Sequence, residues 1–231
     1  MASEKEDFGP GLGSVVLIGL LTLALGMALG GVSLVTQQVT VFTRVPDEDS
    51  LVPGKVIYVK GSRSGRTSWR GKEQALKSGQ LSTLIFTEAE LNQWSDSQLR
   101  LKNGEDGEES GGFMSTFDLD LSPVNFRIVD GKIQMATEVN MPGLAPGSTF
   151  LYQVVGRFVP HEGGVDFVVD SASLGQAPIG ALPVAGDFFL AHIGKKFSQI
   201  PEVAWLQDAL GDLDSAEITD GQLILQRRTE G

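Results

Sequence analysis

The chain has 231 residues, a formal net charge of -11, two histidines and no cysteine. Such acidity leaves no basic face for nucleic acid, so no nucleic-acid partner is expected. Without cysteine, disulfides, thiolate chemistry and lipoprotein attachment are excluded, and the compartment is left open.

Gly9 to Thr43 carries no ionisable side chain, and Gly11 to Val35 reads GLGSVVLIGLLTLALGMALGGVSLV. A bilayer core about 30 Å thick takes roughly 20 apolar residues as helix. A transmembrane helix is therefore expected over residues 11–36, behind a short tail at 1–10. The rival is a cleaved signal peptide, with Ala28-Leu29-Gly30 as a poor cleavage site. Signal peptides start basic, whereas Glu4, Glu6 and Asp7 here outnumber Lys5. Positive-inside counting sets Lys5 against Arg44 and Lys55, which slightly favours a cytoplasmic C-terminal domain. Large domains cross regardless of charge, and a short tail before a first apolar helix commonly acts as a signal anchor. A single-pass protein of the cell membrane, with its C-terminal domain extracytoplasmic, is the expectation.

Residues 37–80 are predicted as a juxtamembrane linker with a short strand at Lys55–Lys60 and a short helix at 68–78. Lys55, Lys60, Arg63, Arg66, Arg70 and Lys72 follow one another with no acid among them. Lys60, Arg63, Arg66 and Arg70 are the candidates for contact with anionic lipid headgroups, each worth about 1 kcal/mol near such a surface. The alternative is a solvated loop.

Residues 81–231 are expected to form one domain. Thr87-Glu88-Ala89-Glu90 is a capping box opening a helix to about Arg100. Residues 103–112 are acidic and glycine-rich but lack the spacing of a calcium loop. From Phe113 the apolar period becomes two. Asp130-Gly131 suits a tight turn between two strands, and 160–164 joins the strands Phe150–Val159 and Val165–Leu174. These strands read as an antiparallel meander with one apolar face. Pro183 opens a predicted helix to about Gln199, striped by Phe189, Ile193 and Phe197. Pro201 opens another, ending at Gly211, and Asp220-Gly221 turns a final hairpin.

Chemistry is not written in local motifs. His161 and His192 have no partner at metal-ligand spacing, and no nucleophile elbow, Walker loop or dinucleotide fingerprint occurs. No catalytic residue, metal or cofactor is assigned, and no enzyme is expected. What remains is apolar surface. Phe126, Ile128, Met135, Val139, Phe150, Tyr152, Val154, Phe167, Phe189, Ile193 and Phe197 either fill a plain core or line a slot for a lipophilic ligand.

The membrane helix, the Thr87-Glu88-Ala89-Glu90-Leu91-Asn92 helix start, the long strands, the Gly180-Ala181-Leu182-Pro183 turn and the last Asp-Gly hairpin carry a resemblance. The chain resembles membrane-anchored bacterial proteins of the YpmS type, which are similar to the tubular lipid-binding (TULIP) superfamily. The resemblance covers roughly residues 80–228 and the anchor, and departs at 55–72 and 103–112. It implies an α+β fold, with a long curved antiparallel sheet wrapped around an amphipathic helix, and lipid binding outside the cytoplasm. Membrane lipids are then the expected partners. The rival is a solid-cored scaffold or accessory subunit docking a membrane protein complex.

Overall fold

The computed structural model describes residues 12–65, 68–98, 120–140, 149–179 and 201–228. The predicted helix at 183–199, with Phe189, Ile193 and Phe197, lies outside these residues, as do Arg66, Gly180 to Pro183 and the 103–112 loop. The described chain is α+β with mostly antiparallel strands, as the alternating segments predict.

Helix α1 covers Leu12–Thr36. Side-chain surroundings are described along only part of it, and among the described residues no helix is long and apolar enough to cross a membrane. Leu23, Leu25, Met27 and Leu29 are well exposed. The last turn differs. Val35 is buried among Val139, Phe150, Tyr152, Leu174, Ala177 and Ile179. The Leu34 carbonyl accepts from the Gln37 and Gln176 amides at 3.2 and 3.0 Å. Gly175, at φ +57°, is needed there, because a Cβ would stand 2.3 Å from the Val35 carbonyl oxygen.

Strand β1 (Thr40–Phe42) pairs in parallel with β2 (Ile57–Val59). The buried Gln176 amide bridges this pair to the rest of the fold. Its Oε1 accepts from the Val56 N–H at 2.7 Å, and its Nε2 donates to the Val56 and Gln38 carbonyls at 2.9 and 3.3 Å.

The predicted meander is the larger sheet. Its strands are β4 (Asp120–Leu121), β5 (Asn125–Val129), β6 (Lys132–Asn140), β7 (Thr149–His161), β8 (Gly164–Leu174) and β9 (Ala177–Pro178). β4 and β5 share one edge of β6, and the others follow in order. Asp130 and Gly131 take φ of 51° and 69°, the left-handed pair that a two-residue hairpin requires. On the inner face Ile133, Met135, Thr137 and Val139 oppose Gly156, Val154, Tyr152 and Phe150. Between β7 and β8 the register slips: Val155 opposes Ser171, but Gly156 opposes Val169. Asp170 is the extra residue of a bulge. It points to Lys132 at 2.8 Å and Arg157 at 3.3 Å.

The last hairpin does not extend this meander. β10 (Leu213–Thr219) and β11 (Gln222–Arg227) join β3 (Thr83–Thr87) in a separate antiparallel sheet, with Leu223 opposite Phe86 and Leu225 opposite Leu84. Among the described residues, helices α2 (Trp69–Ser78), α3 (Glu88–Gln98) and α4 (Pro201–Gly211) join the sheets. α2 stops at Gly79, left-handed at φ +67°. Tyr58, Val59, Trp69 and Leu76 are buried, so much of the predicted linker packs into the body.

The capping box forms as predicted. The Glu90 N–H donates to Thr87 Oγ1 at 3.3 Å, and the Thr87 N–H donates to Glu90 Oε2 at 3.0 Å. Glu90 is nevertheless only 2% exposed. Lys72 Nζ reaches both of its oxygens at 2.7 Å, and Ser68 Oγ donates to it as well. Burial pushes the Glu90 carboxyl up, but the bonds from Lys72, Ser68 and the Thr87 amide prevail and hold it at about 2.

Candidate functional site

Between the inner face of the larger sheet and the smaller sheet lies a cavity of about 460 Å³. The larger sheet contributes Phe126, Ile133, Met135, Val154, Phe158 and Phe167; the smaller contributes Phe86, Leu223 and Leu225. Leu91 and Trp94 of α3, Leu76 of α2, and Trp205, Leu206 and Leu210 of α4 close its sides. Val169 belongs to the lining yet is 51% exposed, so the cavity reaches solvent beside the bulge.

Local geometry explains the aromatic wall. A Cβ on Gly156 would lie 2.6 Å from the Phe167 ring and 2.4 Å from the Val168 carbonyl oxygen. Glycine there lets the ring lie flat across β7. Phe158 then meets Phe167 edge-on, with ring centroids 5.4 Å apart, a favoured aromatic geometry.

Polar groups in the lining are few, and the Trp205 indole N–H among them is buried without a hydrogen-bond partner among the described residues. Thr137 Oγ1 donates to the Ser122 carbonyl at 2.6 Å. Glu73 is the one acidic or basic residue in the lining among those described, and Lys77 pairs with it at 2.6 Å. Burial raises the Tyr152 hydroxyl to about 12, so it stays protonated. The lining contains no lysine or arginine among the described residues, so nothing inside it would counter a phosphate. It suits an uncharged, apolar guest.

Five predicted lining residues meet here: Phe126, Met135, Tyr152, Val154 and Phe167. Three others lie elsewhere. Val139 and Phe150 pack around Val35, and Ile128 joins the core between the smaller sheet and α2. The lining also takes in Trp94, Phe158, Trp205, Leu206, Leu210, Leu223 and Leu225, which sequence pattern alone does not single out. The spacing of Leu206 and Leu210, and of Leu223 and Leu225, marks apolar faces but not what they face.

The predicted headgroup cluster is divided. Lys60 is exposed. Arg63 pairs with Asp96 at 2.8 Å on the surface, an interaction worth about 0–1 kcal/mol. The Arg70 guanidinium lies 5.1 Å from the centre of the Trp69 ring. Lys72, from the same basic run, is committed to Glu90. No protein-family model, curated protein or solved structure matches this chain.

Proposed function

We propose that this is a single-pass membrane protein whose extracytoplasmic domain holds one lipophilic ligand between its two sheets. The observation that carries the proposal is the cavity: about 460 Å³, walled almost wholly by aliphatic and aromatic side chains. Sites for small lipophilic molecules run to about 300–1,000 Å³ and are mostly apolar with few polar groups. Support for the anchor comes from α1, 25 residues with no ionisable side chain. At 1.5 Å per residue such a helix is about 37 Å long, against a bilayer core of about 30 Å. The resemblance to YpmS-type proteins points the same way.

Native mass spectrometry of the full chain released from nanodiscs tests the ligand. One lipophilic molecule per chain is expected. Val154→Trp, which sets an indole into the cavity, should abolish that adduct while the melting temperature holds or rises, since filling a void does not overpack a core. An adduct that persists in Val154→Trp is lipid clinging to α1. A clean apo mass for the unmodified chain favours the solid-cored scaffold that docks a membrane complex.

A further inference from the structure

We infer that the turn Leu51–Lys55 is a second membrane contact, seated in the headgroup layer beside the exit of α1. The inference rests on the proposal that α1 spans the bilayer. Parallel strands need a long crossover, and β1 and β2 run parallel with Thr40 opposite Ile57. After Phe42 the chain must therefore return to the α1 end of β1 before β2 begins. Gln176 fixes that return, because its Nε2 donates to both the Gln38 and Val56 carbonyls. The chain leaves α1 at Thr36, two residues before Gln38. Val52 precedes Val56 by four residues, a reach of at most about 14 Å. The segment is also folded tighter than that, since the Lys55 N–H donates to the Val52 carbonyl at 3.1 Å and Gly54 sits at φ +78°.

The turn has the composition of an interfacial contact. Val52 is 60% exposed, Leu51 and Val45 are exposed too, and Lys55 stands at the edge. Apolar groups at a bilayer surface sink about 5–10 Å into the headgroup and acyl boundary, while a lysine stem carries its charge back to the phosphates. α1 is docked into the larger sheet through Val35 rather than hung on a free linker. Two contacts, one of them rigidly joined, fix the domain's tilt on the membrane.

The chain contains no cysteine, so any introduced cysteine is a unique label site. Full-length protein would be reconstituted in vesicles of phosphatidylcholine and phosphatidylglycerol and labelled with an environment-sensitive fluorophore at Val52→Cys, Leu23→Cys or Glu217→Cys. A quencher is carried on the lipid headgroup and upper acyl chain. The Val52 label should be quenched at least about threefold more than the Glu217 label and emit further to the blue, as a group at the interface does. Equal quenching at Val52 and Glu217, with Leu23 strongly quenched, overturns the membrane-seated turn and leaves the anchor standing. A Leu23 label that lipid does not quench overturns the anchor and the turn with it.

Discussion

Lys72→Met is expected to cost about 3–5 kcal/mol, because removing one partner of a buried pair leaves an uncompensated charge. Glu90 is 2% exposed, and Lys72 is its cationic partner at 2.7 Å. The same ammonium also donates to the Ile85 carbonyl at 2.5 Å, so one substitution unties α2 from both α3 and β3. The loss should appear as a lower melting temperature in detergent, and Lys72→Met with Glu90→Leu should recover part of it. The pair also sets an acid limit. The folded Glu90 carboxyl is depressed from 4.5 to about 2. Its contribution, on the order of 3 kcal/mol, is complete above the unfolded value and vanishes as pH falls through the folded one. Acid unfolding of the native chain should therefore carry a component between about pH 5 and pH 2 that Lys72→Met lacks. Superimposable acid profiles would contradict this account.

Asn92→Ala should be comparably severe. Asn92 is 0% exposed, on the face of α3 that covers the free edge of β5. Its Nδ2 donates to the Phe126 and Ser62 carbonyls, both at 2.8 Å. Its Oδ1 accepts from the Phe126 N–H at 2.6 Å and from Asn125 Nδ2 at 2.8 Å. The amide thus stands in for a neighbouring strand. Alanine would orphan several buried polar groups at about 1–3 kcal/mol each. Because Phe126 lines the cavity, ligand retention should fall together with stability. Amide exchange at Phe126 is the sharpest readout, and protection as strong in Asn92→Ala as in the native chain would refute the role.

Local chemistry made much of this fold legible. The Asp-Gly turns, the capping box, the glycine after α2 and the period-two strands all encode their own conformation within a few residues. The cavity was legible only by halves. Alternation shows that Phe126, Met135, Tyr152, Val154 and Phe167 share a face, and equally so for Val139 and Phe150. It says nothing of position along a strand, and the latter pair sits beyond the cavity, around Val35. The opposite wall depends on β3 pairing with β11 across most of the chain, for which no neighbouring residues give a signal. The burial of Glu90 and Asn92 has no local signal either, because the partners that enclose them, Lys72, Ser62 and Phe126, lie far away in sequence.

Asp170 works as a change of reading frame within β8. Below it, Val165, Phe167 and Val169 turn inward at odd positions; above it, Ala172 and Leu174 do so at even ones, as their partners on β7 require. Both halves of the strand thereby face the same side of the sheet, the first towards the cavity and the second towards Val35. Deleting that single aspartate would leave Phe167 opposite Phe158 and restore an unbroken alternation along β8, so a homologue without it keeps the same wall and loses only the local kink and the carboxylate that meets Lys132 and Arg157.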